Sequence, residues 1–419
     1  MRMFEGVTRP VARVLTGNLI AAIGSGMTLS FLVIYLGTVR GLGTTIAGFI
    51  VAYMAVLQLV FSTLVGTLID RYGPRPVLLA GQVILAVSMV GLAFVQSLPA
   101  AVIVTTGIAI GNAGIWPPQS SLYARATAPE HRQHVFGLQF MLLNLGLGIG
   151  GLIAATFIDV SNPATFSFTY LFDAATTLVY FLIVVGMRGV GVGPGEKPDE
   201  DASTGGYRVV LRDRALRRLL IGAVIMLTFG YGSLEVGLPV YATVIGHLSV
   251  SFVAIAYAVN TAVIVVAQLF TLKLIQGRSR SRLAAVVGVL WAVSWLAVGA
   301  AVGVPVWLSA VLIAFGLGLF GIGETVWSPI APAITNDLAP DHLRGRYNAV
   351  NSWAWGISGT VGPAFAAIVL GAGLAGIWIA AVVIGCLVSA VVMLSLRGLL
   401  TPLQDGRVQL SVASTKSRN

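Results

Sequence analysis

The chain has 419 residues, 57% of them hydrophobic and only 10% charged, with a formal net charge of +10. Soluble domains are about 45–50% apolar and about 25% charged, and a water-soluble globule this apolar could not cover its own surface. The composition excludes a cytosolic enzyme, a disordered chain and a disulfide-rich secreted domain, and it leaves a polytopic all-α membrane protein.

A membrane helix needs roughly 20 apolar residues, and the charge-free stretches supply twelve. In chain order they predict helix 1 over 14–38, helix 2 over 46–69, helix 3 over 77–96, helix 4 over 100–124, helix 5 over 135–158 and helix 6 over 166–187. After a polar interval come helix 7 over 219–243, helix 8 over 250–272, helix 9 over 283–302, helix 10 over 306–332, helix 11 over 347–370 and helix 12 over 375–396. The longest silent stretches divide at turns rich in Gly, Pro or Ser, such as Gln96-Ser97-Leu98-Pro99 and Gly303-Val304-Pro305. The runs are too long, and alternate too little, for barrel strands.

With twelve crossings both termini share one side, and all of the 25 Lys and Arg except Arg40 fall on that side. The excess of basic residues in cytoplasmic loops predicts that both termini are cytoplasmic, in a bacterial inner membrane. It also accounts for the net charge without nucleic acid as a partner. No small-residue cleavage site follows a short apolar core, so helix 1 reads as an uncleaved anchor. Cys386 is the single cysteine, which rules out an intrachain disulfide, and the four His show no metal-ligand spacing. No phosphate-binding loop of the G-x-x-x-x-G-K-[ST] kind is present. The expectation is therefore no metal, no cofactor and no ATP.

The chain resembles itself at a spacing of 211. Trp116 matches Trp327, Pro118 matches Pro329, Ala128-Pro129 matches Ala339-Pro340, and His131 matches His342. Two parallel copies of one six-helix unit follow. They are a bundle over 1–187 and a bundle over 219–396, separated by a linker over 188–218 and followed by a cytoplasmic tail over 397–419. Gly191–Gly206 reads as flexible linker. Tyr207–Arg218 is basic with apolar residues interspersed, and it reads either as a helix lying on the anionic leaflet or as solvated linker.

Gly66-Thr67-Leu68-Ile69-Asp70-Arg71-Tyr72-Gly73-Pro74-Arg75 lies between helices 2 and 3. It fits the loop pattern G-x-x-x-D-R-x-G-x-[RK], and on this string the chain resembles the major facilitator superfamily. A carboxylate at Asp70 can cap a neighbouring helix N-terminus and pair with Arg. Gly73 permits the tight turn, and Gly66 permits close helix contact. The resemblance implies that Gly66, Asp70, Arg71, Gly73 and Arg75 hold the halves together on the cytoplasmic side when the cavity faces outward. The second copy has Ser281 where Asp is expected, so the gate is expected to be asymmetric. Gly137, Gly146 and Gly150 on helix 5 keep part of a glycine pattern of the family's drug–proton antiporters. Gly362-Pro363 on helix 11 gives a closer copy of its Gly-Pro element. Helix 4 departs from the proton-coupled members that carry Arg there; the corresponding position is Gly107.

A carboxyl inside the membrane is costly and marks a candidate functional site. Glu235 on helix 7 and Glu324 on helix 10 are the clearest proton-coupling candidates, with no Lys or Arg inside a span to pair with them. Asp173, nearer the outer end of helix 6, is a third. In the resembled family helices 1, 4, 7 and 10 line the cavity. That implies lining by Asn18, by Asn112, Trp116 and Gln119 on one face of helix 4, by Tyr231, and by Trp327; Asn351 and Trp355 share a face of helix 11. Asn260 and Gln268 on helix 8 are expected to bond between helices. Aromatics with scattered polar groups suit a large, partly apolar ligand. The expectation is a monomeric secondary transporter in the lipid bilayer that exports lipophilic drugs or metabolites against protons. The alternatives are an importer or lipid transporter on the same scaffold and a non-transporting sensor. A membrane-embedded enzyme would lack the His, Cys or paired acids its chemistry needs.

Overall fold

The computed structural model describes residues 7–28, 31–187 and 206–407. The predicted flexible stretch at 191–205 and the end of the tail at 408–419 lie outside the described residues. Within them there is no strand. Eleven helices are long and apolar enough to cross a membrane, and Arg9–Thr28 with Leu32–Val39, bent by 42°, makes a twelfth span. The remaining spans are helix 2 (Thr44–Tyr72), helix 3 (Pro74–Ala93), helix 4 (Leu98–Ala126), helix 5 (Pro129–Ala155) and helix 6 (Pro163–Val185). In the second half they are helix 7 from Arg214, helix 8 (Val250–Ile275), helix 9 (Arg280–Gly299), helix 10 (Val306–Leu338), helix 11 (Arg344–Gly371) and helix 12 (Ala375–Ser395). Several run past the predicted ends, because polar first turns still belong to the helix. Pro129 and Pro163 sit there without loss, since the missing N–H would have no intrahelical partner.

Small residues set the packing within each six-helix bundle. Helix 1 lies against helix 5 so closely that a Cβ on Gly150 would stand 2.0 Å from the Ile23 carbonyl oxygen. A Cβ on Gly146 would stand 2.6 Å from the Ala22 Cβ. In the second half a Cβ on Gly362 would stand 2.7 Å from the Gly232 Cα, which brings helix 11 onto helix 7. Gly137 instead faces the other bundle, with Leu272 of helix 8 in the space its side chain would need.

Two helices break where the sequence removes backbone donors. Helix 4 interrupts at Gly114-Ile115, just before Pro117 and Pro118, and resumes at Trp116. Helix 7 runs through a π-helical turn at Leu227–Tyr231, continues over Gly232–Glu235, interrupts at Val236 and resumes at Gly237. Pro239 has no N–H for the Glu235 carbonyl, and the Tyr257 hydroxyl of helix 8 donates to the Leu234 carbonyl.

Tyr207–Arg218, expected either as a helix on the leaflet or as solvated linker, is not one continuous helix. It is a short helix, Gly206–Val210, followed by a turn, and helix 7 starts at Arg214 with Asp213 as its cap. Asp213 accepts from the N–H groups of Ala215 (2.8 Å) and Leu216 (3.2 Å). Within this segment Val210 is fully buried and Tyr207 stacks on Trp353 with ring centroids 5.9 Å apart, whereas Val209 is exposed. The described part of the tail folds back beneath helix 9. There the buried Asp405 accepts from the Ser281 N–H at 2.9 Å and the Ser279 hydroxyl at 2.8 Å.

Candidate functional site

A cavity of about 460 Å³ lies between the bundles. Helices 2, 4 and 5 wall it on one side, and helices 7, 9, 10 and 11 on the other. Of the predicted lining residues, Asn112, Trp116, Tyr231, Glu324, Trp327, Asn351 and Trp355 line it. Trp116 and Trp355, on opposite halves, are each 43% exposed, so both offer ring surface to an occupant, whereas Trp327 is nearly covered at 4%. The wall is aromatic on the second half. Tyr231 meets the Trp355 ring edge-to-face at 4.9 Å, and Trp291 stacks on Phe320 at 4.2 Å. Trp291 fits because Gly230 and Gly323 leave it room; a Cβ on either would stand within 2.4 Å of its ring.

Glu324 is the one acid on this wall. It is buried, and the Asn260 side-chain amide of helix 8 donates to its carboxyl oxygen at 2.8 Å. No Lys or Arg pairs with it among the described residues. Gln268 likewise bonds between helices 8 and 10, donating to the Thr325 carbonyl at 3.1 Å. A carboxyl in such a place, with a neutral amide as its partner, offers a cationic ligand a counter-charge on the cavity wall.

Four predicted residues sit elsewhere. Asn18 and Gln119 are corrected as lining residues: the Gln119 amide donates to the Asn18 side-chain oxygen at 3.0 Å, and both are buried between helices 1 and 4. Helix 1 consequently supplies none of the lining. Asp173 does not reach interfacial water. It is fully buried and accepts from the Thr28 hydroxyl at 2.9 Å and the Ser25 hydroxyl at 3.3 Å, tying helix 6 to the bend of helix 1. Glu235 lies at the break of helix 7, exposed and off the cavity wall. Sequence reasoning missed Gln58 of helix 2 and Phe136, Gln139 and Phe140 of helix 5, which complete the first half's wall. Gln139, a lone amide amid apolar neighbours, was the available signal.

The cavity floor is a polar seam. Ser120 of helix 4 donates to the Asn348 side-chain oxygen of helix 11 at 2.7 Å, and the Asn336 amide donates to Ser120 at 3.2 Å. Beneath it lies the end of the molecule that carries the basic residues. There Asp70 accepts from the N–H of Gly345 at 2.7 Å and of Arg346 at 3.3 Å, a carboxylate of one half capping helix 11 of the other. Gly66 makes the approach possible, since a Cβ there would stand 2.7 Å from the Ala349 Cβ. Gly73, at φ +89°, turns the chain from helix 2 into helix 3. Arg71 and Arg75 do not cross between the halves: Arg71 lies over the Tyr72 ring, and Arg75 donates to the Val184 and Val185 carbonyls at the end of helix 6. Arg75 thus closes the end of helix 6 within the first bundle.

The second tie is of different make. Asp337 at the end of helix 10 accepts from Arg132 of the first half at 2.5 Å and from Arg280 at 2.6 Å, and Arg280 reaches Gln133 at 2.9 Å. Among the described residues, hydrogen bonds between the two halves lie at the cavity floor or between it and the basic end.

A family model described as Major Facilitator Superfamily matches residues 14–322. The chain is similar to the uncharacterized MFS-type transporter YttB of Bacillus subtilis (strain 168), at 26% identity over 362 residues, covering 84% of this chain and 86% of that protein. A bacterial homologue of the iron transporter ferroportin, crystallised outward-facing, superposes with a TM-score of 0.77 at 13% identity, covering 93% of this chain and all of that one. The E. coli fucose:proton symporter FucP superposes at 0.76 with 14% identity, covering 94% and 100%. At these identities the structural likenesses show the fold alone.

Proposed function

The chain belongs to the major facilitator superfamily and is a membrane transporter rather than an enzyme, and from that premise we propose that it exports lipophilic, cationic compounds in exchange for protons by alternating access. The observation that carries this reading is Glu324: a buried carboxyl on the wall of an aromatic cavity between the two bundles, with only an amide as partner. Aromatic faces and one unpaired acid attract an organic cation. The same acid, once protonated, has less reason to hold that cation, so proton and ligand compete for one site. Competition of this kind couples two opposite fluxes without ATP. Glu235, at the break of helix 7, is the second candidate for proton transfer.

The closed end is assigned to the cytoplasm of a bacterial inner membrane, because all Lys and Arg but Arg40 lie in the segments on that side. The described state is then outward-facing, and helices 1–6 and 7–12 are the two moving bodies of a monomer. Extrusion of a cationic dye from energised cells expressing the chain, abolished by a protonophore, is the expected result. Protonophore-sensitive accumulation of the dye would instead make the protein an importer and refute the export reading.

A further inference from the structure

A second cavity, of about 440 Å³, opens at the basic end beside the gate and away from the ligand cavity. It is lined by Arg125, Thr127 and Arg132 of the first half and by Asp341 and Arg344 of the second. Three guanidinium groups thus share it with one lining acid. Asp341 holds Arg344 at 2.6 Å; the guanidinium is buried, at 7% exposed, while the carboxylate side chain is 59% exposed, so the acid can turn out to water and leave the buried cation to an incoming anion. Two donors in the pocket are buried without a hydrogen-bond partner: Nε of Arg344 and the hydroxyl of Thr127. Both residues are more than nine-tenths buried, at 6% and 5% exposed. Ala128 also ends the loop here, and as the cap of helix 5 it makes no side-chain hydrogen bond to the first turn.

We propose that this pocket binds a phosphate group, held by the Arg344 fork and the Thr127 hydroxyl beside the charge of Arg125, while Arg132, already paired with Asp337, completes the wall. Planar guanidinium groups match phosphate oxygens two at a time, and buried orphan donors gain most from such a partner. The pocket exists only while the halves are joined, because its arginines come from both. A bound phosphate therefore stabilises the state closed at this end, and opening that end takes the site apart. The phosphate can come from free inorganic phosphate or from the headgroup of an anionic phospholipid. The lipid source rests on the proposed cytoplasmic orientation, whereas phosphate binding does not.

The test uses the full chain in detergent. Inorganic phosphate, titrated at constant ionic strength against chloride, is expected to raise the melting temperature saturably. The midpoint moves up about tenfold or more in Arg344→Gln and, with the charge kept and the fork lost, in Arg344→Lys; Arg282→Gln outside the pocket leaves it unchanged. Competition by short-chain phosphatidylglycerol but not phosphatidylcholine identifies the lipid source, and its absence identifies free phosphate. A shift equal in all variants, or matched by chloride, overturns the site. Spin labels at Glu130→Cys and Gln276→Cys, on opposite halves of the basic end, should report a narrower, shorter distance with phosphate, and an unchanged or longer one overturns the conformational role. Dye efflux is measured separately, so failure of the export reading leaves these results standing.

Discussion

The carboxylate of Asp70 and the backbone N–H of Gly345 meet at 2.7 Å across the two halves of the molecule, 275 positions apart in the chain. The bond ties the two halves together at the basic end. Hydrogen bonds to charged groups contribute about 1.5–3 kcal/mol net, so this contact biases the two end states rather than either bundle's fold. Asp70→Asn keeps an acceptor but loses the charge. Transport turnover in proteoliposomes is expected to fall about tenfold, while ligand affinity at the cavity changes less than about threefold. Unchanged turnover would remove Asp70 from the gate.

Glu324→Gln preserves the size of the side chain and its bond to Asn260 while removing the titrating group. Coupled transport should be lost, and affinity for a cationic ligand should fall more than affinity for a neutral one of similar shape. The check is ligand-driven proton movement in proteoliposomes, with Glu235→Gln beside it. Persistence of proton movement in both variants would refute the coupling assignment.

Trp116 and Trp355 present exposed ring faces from opposite halves. Aromatic contacts of this kind contribute about 0.5–1.5 kcal/mol beyond area burial. Trp355→Ala should weaken an aromatic cationic ligand about tenfold, and Trp355→Phe by much less. Binding measured by equilibrium dialysis separates this from the covered Trp327.

Adjacent glycines on helix 5 should behave oppositely. A Cβ on Gly150 would stand 2.0 Å from the Ile23 carbonyl oxygen, whereas one on Gly151 finds nothing closer than 3.8 Å. Gly150→Ala is expected to destabilise by about 1–3 kcal/mol. Gly151→Ala should be neutral or gain up to about 1 kcal/mol from helix propensity. Thermal unfolding in detergent reads both.

The twelve spans were legible because charges are so rarely placed in lipid that their positions alone mark the helix ends. Asp70 was legible because its chemistry is local: an acid at a helix end beside a glycine turn. The fates of Asn18 and Gln119 were not, since each satisfies the other across a contact between helices 1 and 4 that neither helix's periodicity reveals. The partners of Asp173 were hidden for a related reason: Ser25 and Thr28 lie on helix 1. Asp337 was missed because its arginines lie 205 and 57 positions away. Ser281 stands where the repeat leads one to expect an acid, and its N–H donates instead to the carboxylate of Asp405, beyond helix 12. The break in helix 7 was written in Gly232, Gly237 and Pro239, which a count of apolar residues passes over.

The rocking of the two bundles is tested most directly by paired distances. One spin-label pair, Glu130→Cys with Gln276→Cys, spans the basic end; another, Val160→Cys with Val302→Cys, spans the opposite end at residues exposed in the structure. When a transported ligand or a pH step shifts the population, one distance should lengthen as the other shortens. Two distances that stay fixed, or that lengthen together, would contradict alternating access about the cavity of Glu324.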